Sequence, residues 1–438
     1  MTTASPIASM NWQDAHSVPR ERPCQGAIWT EVYAWAALLP MLFITVSGRI
    51  QTDPGPVAFR FTAMEEDSLE RRLARLGCSF LILFLISTRL REILAACKRT
   101  RLLLFIPALA FVSVIWSQNP SHTLIDAANL ALTTLFAIYL YLRYPGERLV
   151  SFLAFSACAA LLLSIFVVVI FPSVGIDAFQ QDAWRGIFGQ RNNCAAVCCL
   201  FLVLGLHFRP HALFEQCMRG SILFLSAVFI VMSGSRTGWI LAALAVLLTC
   251  GLRLTMRLRS LDRLAFLMAL VVPTALLVFA LATNLNQVLA LLDKDPTMTQ
   301  RTVIWAEVLP SIAKHPLQGY GYSAFWNGLS GESTQAVLTT GWMEGQAQDG
   351  YLDVLLQLGL IGLIPLAWTF VRGFTQAAGA VERRTPDTMV WLAIVMLPLI
   401  LVENIGESSF LLPLGIPWFY TLLALLALNF AKRPAEAL

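Results

Sequence analysis

Four arginines of this chain stand where polar turns give way to apolar sequence. Arg185 and Arg191 lie in WRGIFGQRNN (184–193), Arg236 in SGSRTGW (233–239) and Arg301 in DPTMTQRTVIWAEVL (295–309). A further boundary of this kind, AQDGYLD (347–353), carries Gln348 and Asp349 in place of an arginine. All four stretches read as helix starts, with Ser, Thr, Asn or Asp close to the onset of an apolar run. A helix start presents free N–H groups and a partial positive charge. A guanidinium adds a permanent charge on a planar fork that matches phosphate oxygens. Several of both in one pocket would hold a phosphate or pyrophosphate group. The competing reading is that these arginines reach for lipid headgroups. The Gly/Ser/Asn-rich turns argue against it for Arg185, Arg236 and Arg301, and for Arg191 both readings stand.

The elements that must position these residues follow from composition. The chain has 438 residues, 57% hydrophobic and 13% charged, with a mean hydropathy of +0.67. Soluble domains carry about twice that charge, so the fold class is an all-α polytopic membrane protein. Apolar spans occur at 30–48, 74–88, 102–116, 123–142, 149–171, 193–208, 219–232, 237–252, 264–285, 351–371, 387–404 and 413–430. That predicts about twelve transmembrane helices, several short enough to need neighbours or local thinning of the bilayer. The expected organisation is a cytoplasmic tail over 1–28, spans 1–9 over 29–285, a large loop over 286–350, spans 10–12 over 351–431 and a cytoplasmic tail over 432–438. The polar N-terminus, with Arg20 and Arg22 and no cleavage site after a short apolar core, reads as a tail rather than a signal peptide.

Basic residues orient the chain. With the N-terminus inside, the loops at 89–101, 143–148, 209–219, 253–263 and 372–386 and the terminal Lys432 and Arg433 are cytoplasmic. Roughly twenty of the 31 Lys and Arg residues then lie inside. The 286–350 loop is periplasmic in this orientation, between spans 9 and 10, and the arginine-bearing turns share its side. MEEDSLERRLARLG (64–77) reads as an amphipathic interfacial helix. An outward pocket of arginines and helix starts fits a lipid-linked pyrophosphate. No basic stripe points to nucleic acid. The nine cysteines sit in the tail, in apolar segments or in adjoining short loops, so no disulfide framework is expected. Cys194, Cys198 and Cys199 have helical spacing but no accompanying histidine or carboxylate, and read as packing residues. No outward His/Asp/Glu cluster has the spacing of a metal site.

WRGIFGQRN, SGSR, RTVIWAEVLPSIAKHPLQGYGYSAFW (301–326) and GYLDVLLQLGLIG (350–362) together resemble the O-antigen ligase and polymerase superfamily. Within it they are most similar to the exopolysaccharide polymerases of succinoglycan and xanthan type. WSQNP (116–120) and GESSFLL (406–412) also fit, so the resemblance covers residues 100–415; the two long motifs are specific, whereas SGSR alone is weak. The resemblance implies a GT-C-like membrane glycosyltransferase of the bacterial inner membrane, working at the periplasmic face without metal or cofactor. Such enzymes take an undecaprenyl-pyrophosphate-linked oligosaccharide, pass the glycan to an acceptor sugar hydroxyl and release the lipid pyrophosphate. Carried over by motif, Arg185, Arg236 and Arg301, with Arg191 beside them, bind the pyrophosphate and offset charge developing on the leaving group. Asn192, Tyr320, Tyr322, Trp326, Tyr351 and Glu407 are the expected substrate contacts, although Tyr320, Tyr322, Trp326 and Trp342 could equally anchor the loop at the membrane interface. Membrane lipid, a chain-length regulator and an export channel are partners expected by pathway analogy alone.

The expected catalytic set is Arg301, Gln348 and Asp349, and here the chain departs from the family. AHNGYL is usual where this chain has AQDGYL, and GHKN is frequent where it has GQRN, so Gln348 and Gln190 replace histidines. Glutamine has no titratable group and cannot accept the hydroxyl proton. Three readings remain. Gln348 orients the acceptor while Asp349, Glu344 or Glu407 serves as base; or the activated leaving group makes a strong base unnecessary; or the chain binds lipid-linked sugar without turnover. Each candidate also has a plainer role: Asp349 as a helix N-cap, Glu344 as a solvated charge, Glu407 in capping, and His315, before a proline, in loop packing. The alternative functions are a ligase-type transferase to lipid A core or protein, and a non-catalytic or transport component of polysaccharide export. A transporter would place charges near the bilayer midplane, where Asp126 is the clearest carboxylate inside a span.

Overall fold

A computed structural model describes Ala34 and residues 69–177, 182–256, 301–328, 330–340, 345–383 and 387–431. The first expected span apart from Ala34, the ninth span, both tails, Thr297, Thr299, Trp342 and Glu344 lie outside the described residues. The chain runs through helices α1 (Leu69–Thr88), α2 (Leu90–Arg99), α3 (Arg101–Val112), α4 (Pro120–Arg143) and α5 (Glu147–Ile170). Two-residue strands β1 (Ile176–Asp177) and β2 (Ala183–Trp184) then pair antiparallel, with Ile176 opposite Trp184. They are followed by α6 (Arg191–His207), α7 (Leu213–Met232), α8 (Arg236–Thr255), α9 (Arg301–Lys314), α10 (Thr334–Thr340), α11 (Gly350–Arg383), α12 (Thr388–Glu403) and α13 (Ile416–Phe430).

Among the described residues α4, α5, α7, α8 and α11 are long and apolar enough to cross a membrane. Shorter apolar helices run over Arg75–Thr88, Arg101–Ile115, α6, α12 and α13. Each of these coincides with an expected span, and the mostly helical membrane architecture is as the composition dictates. Three details differ. The segment read as an interfacial helix does not end before the second span, because α1 continues unbroken from Leu69 to Thr88. Residues 372–383, expected in a loop, continue α11 with Ala377 and Ala380 buried against the bundle. The 286–350 loop is partly helical and contains α9 and α10.

The centre of the bundle is built from helices that are apolar on every side. From Cys194 to Gly205 every residue of α6 is buried, and so is every residue of α13 from Ile416 to Leu428. A helix without a polar face has to be surrounded. Cys194, Cys198 and Cys199 belong to this packing, and Cys199 Sγ donates to the carbonyl of Gly238, tying α6 to α8 at 3.3 Å.

The segment 315–323 is clasped between α11 and the WSQNP turn. α11 breaks at Gly359, whose φ of 60° is left-handed, so its neighbours lose their helical hydrogen bonds. The loop restores them. Tyr320 and Gly321 N–H donate to the carbonyls of Leu356 (2.8 Å) and Gln357 (3.0 Å), while Leu360 and Ile361 N–H donate to Pro316 (2.9 Å) and Leu317 (3.0 Å). A Cβ on Gly359 would strike the Leu317 carbonyl. On the other side Trp116 Nε1 donates to Gln318 O (3.1 Å), Gln118 N–H to Tyr320 O (3.1 Å) and Thr123 Oγ1 to Tyr322 O (2.7 Å). Irregular backbone is tolerated within a membrane bundle only where protein satisfies it in this way.

Candidate active site

The site is organised by the turn that follows α12. Asn404 caps that helix and uses its whole amide: Oδ1 accepts from Ser409 and Phe410 N–H (3.0 Å each), and Nδ2 donates to Ile400 O and Ser409 Oγ (2.8 Å each). The Asn404 carbonyl accepts Gly350 N–H at 2.8 Å. A Cβ on Gly350 would collide with Asn404 Oδ1, so the start of α11 can seat on this turn only with glycine there. Asp349, one residue earlier, accepts Tyr351 and Leu352 N–H on Oδ1 (2.9 Å each) and caps α11.

Glu407 lies at the centre of that turn, with Arg301 Nη2 on its Oε1 at 2.8 Å. The two side chains are 9% and 17% exposed, so the pair is far from a solvated surface bridge. The Asn192 side chain also bonds Glu407, and the charge of Arg191 acts on it from the start of α6. Arg301 and Thr237, the latter in the first turn of α8, both lie beside Gly406, and Arg191 Nη1 reaches towards Gly234. The starts of α6, α8, α9 and α11 therefore converge on one turn. Burial pushes the Glu407 carboxyl up to about 7, against the opposing pull of Arg301, Asn192 and Arg191. Burial also raises Asp349, opposed by the N–H groups of Leu352 and Tyr351 and by Arg301. Arg191 Nε is buried and has no hydrogen-bond partner among the described residues. The cluster thus combines fixed positive charge, an unused buried donor and a carboxyl that changes protonation near neutrality. It can bind an anion and accept a proton.

Residues 221–367 match the O-antigen ligase family, a stretch that contains Arg236, Arg301, Gln348 and Asp349. The exopolysaccharide production protein ExoQ of Rhizobium meliloti (strain 1021) is 25% identical over 298 residues. That alignment covers 64% of this chain and 66% of ExoQ, just under two thirds of the relative's length. Over these stretches the chain is similar to the O-antigen ligase/polymerase superfamily. Its similarity to ExoQ lies on the exopolysaccharide side of that superfamily.

The structure divides the residues that the superfamily motifs singled out. Arg301, Glu407, Asn192, Arg191 and Asp349 come together. Arg185 is engaged elsewhere: its Nε donates to Val174 O (2.9 Å) and its Nη2 to Ser173 O (3.4 Å), beside the β1–β2 hairpin. Arg236 is exposed in the first turn of α8, where Ser235 caps the helix by accepting Gly238 N–H. Gln348 is half-buried with a left-handed φ of 55°, one residue before the Asp349 cap.

The tyrosines serve as anchors. Tyr320 and Tyr322 are 3% and 1% exposed, with their hydroxyls donating to Ser311 O and Leu411 O, so neither ring face is open to a sugar. Tyr351 donates to Leu401 O (2.9 Å) and packs edge-on against Phe410. Half-buried Trp326 donates through Nε1 to Asp353 Oδ1 at 2.8 Å. His315 packs edge-on against Tyr320. Asp126, read as lying well inside a span, sits in the second turn of α4 and accepts from Ser323 Oγ at 2.6 Å, tethering the clasped loop.

Two organising residues escaped the sequence reading. Asp353 accepts from Trp326 and, at 2.9 Å, from Ala347 N–H; its spacing of four from Asp349 puts both on one helical face and was the available signal. Asn404 had no such signal, because an asparagine after an apolar span reads equally well as a solvated turn.

Proposed function

We propose that this chain polymerises undecaprenyl-pyrophosphate-linked oligosaccharide repeat units in exopolysaccharide biosynthesis, at the periplasmic face of the bacterial inner membrane. The observation that carries the reading is the largely buried Arg301–Glu407 pair at the meeting point of four helix starts. The similarity to ExoQ supports the polymerase reading over ligation to lipid A core or protein.

In this mechanism Arg301 and Arg191 hold the pyrophosphate, and Arg236 approaches it from the neighbouring helix start. Arginine charge, rather than a metal ion, offsets the charge that develops on the leaving group. The acceptor hydroxyl oxygen attacks the anomeric carbon, the bond from that carbon to the pyrophosphate oxygen breaks, and its electron pair leaves on the lipid pyrophosphate. The hydroxyl proton passes to Glu407. Arg301 moves from Glu407 to the pyrophosphate as substrate binds, which frees the carboxylate for that proton. Gln348 is left to orient the acceptor by hydrogen bonding, as its amide allows. Asp349 holds the start of α11 and adds a carboxylate beside Arg301.

The test is polymer output in cells lacking the protein, complemented by wild type, Arg301→Ala or Glu407→Gln at matched membrane levels. Both variants are expected to lower the rate by about 10²–10⁴-fold, with single lipid-linked repeats accumulating. Wild-type polymer from Arg301→Ala would remove the pyrophosphate site and favour a transport or scaffold role.

A further inference from the structure

A second group of arginines lies towards the other end of α11, roughly 35–50 Å from its start at the helical rise per residue. Arg99 ends α2, Arg372 and Arg383 belong to the last third of α11, and Asn429 stands in the last turn of α13. Together with Gln376 and Phe430 they line a cavity of about 570 Å³. Asn429 fixes its wall. Its Oδ1 accepts from Arg372 Nη2 and Gln376 Nε2 (3.3 Å each), and its Nδ2 donates to the Arg99 carbonyl (3.2 Å). Arg383 folds back against Gly379 on the rim.

Among the described residues no carboxylate lines this cavity and none of its three arginines forms an ion pair. Arg301 and Arg89, by contrast, each hold a glutamate at 2.8 Å. Three guanidinium groups on a concave surface, without a carboxylate partner among the described residues, are complementary to an anion with several oxygens. The cavity is not purely polar. An adjoining crevice along Leu102, Leu103, Thr369 and Leu425, between α3, α11 and α13, has only about 20 Å³, room for a single water. The outer side of α11 here is apolar and exposed at Trp368 and Val371, as a lipid-facing surface would be.

We propose that this cavity binds the phosphodiester headgroup of an anionic phospholipid, with its acyl chains along the exposed apolar side of α11 at Trp368 and Val371. A free phosphate or a nucleotide would use the arginines but make no use of the exposed apolar surface beside them. Basic pockets between membrane helices suit acidic headgroups for this reason. The site lies in the leaflet opposite the Arg301–Glu407 cluster and does not depend on the polymerase reading.

The experiment uses the purified full chain in a zwitterionic detergent and measures binding of phosphatidylglycerol, phosphatidylcholine and inorganic phosphate. Phosphatidylglycerol should bind the wild type in preference to phosphatidylcholine. It should bind Arg372→Gln/Arg383→Gln about 25-fold more weakly, at about fivefold per arginine. Phosphatidylcholine binding should be the same in both proteins. If the double variant is not recovered folded, Arg383→Gln alone, at an exposed position near the end of α11, should show about a fivefold loss. Equal phosphatidylglycerol binding by wild type and variant would overturn the proposal. So would displacement of phosphatidylglycerol by an equimolar amount of inorganic phosphate, which would make this a free-anion site.

Discussion

Glu407 and Asp353 are both buried carboxylates near the start of α11, 7% and 4% exposed, but they keep different company. Asp353 is held by neutral donors, Trp326 Nε1 and Ala347 N–H, that belong to the protein's own loops. Glu407 is held by Arg301, with Asn192 and Arg191 beside it. Neutral donors that have no other partner fix a carboxylate permanently and make it a structural post. A cation can be drawn away by a more highly charged ligand, which leaves the carboxylate free to take a proton. The difference in partners, rather than in burial, separates a group suited to chemistry from one suited to holding the loop.

The sharpest way to break this contrast is the pH dependence of polymerisation. With Glu407 as the proton acceptor, the rate should rise as pH rises through about 7. Glu407→Gln should remove that limb along with about 10²–10⁴-fold of activity. Stability should move in the opposite direction. Folding raises this carboxyl from its ordinary 4.5 to about 7, so its contribution is complete below about 4.5 and is lost as pH rises through about 7. A rate that is flat across this range in the wild type would exclude Glu407 as base.

Gly359→Ala tests the clasp between α11 and the loop that leads to Trp326, the partner of Asp353. The added methyl strikes the Leu317 carbonyl at a left-handed backbone position, and a loss of about 2–4 kcal/mol is expected in thermal unfolding. Asp353→Asn should cost about 1–3 kcal/mol through weaker bonds to Trp326 and Ala347, with little change in rate per folded molecule. If it lowered the rate as far as Glu407→Gln does, the distinction between the two carboxylates would collapse. The smallest effect is expected for Gln348→His. With the proton already assigned to Glu407, polymer output should change by no more than about threefold. A gain of tenfold or more would return the base to position 348.

Much of the architecture was legible because long apolar runs have few ways to satisfy their backbone in a bilayer. Arg301 and Arg191 could also be picked out, since a guanidinium at a helix start is a local pattern. Asp349 was ambiguous for an equally local reason: a carboxylate that caps a helix and one that does chemistry look alike along the chain. Choosing among Asp349, Glu344 and Glu407 needed contacts across the fold. Glu407 is 106 positions from Arg301 and meets it on the turn after α12, where Asn404 also seats the start of α11. The tyrosines of KHPLQGYGYSAFW show the same limit. Their composition suits sugar stacking or anchoring equally, and the break at Gly359 turns two of them inward by offering unpaired carbonyls to the loop backbone. Composition, hydrophobic period and charge bias act over a few turns of chain, so the sequence alone determined a helical membrane protein with arginine-bearing turns. Pairing partners and burial are set by residues far apart along the chain, and only the tertiary structure decided which arginine meets which carboxylate.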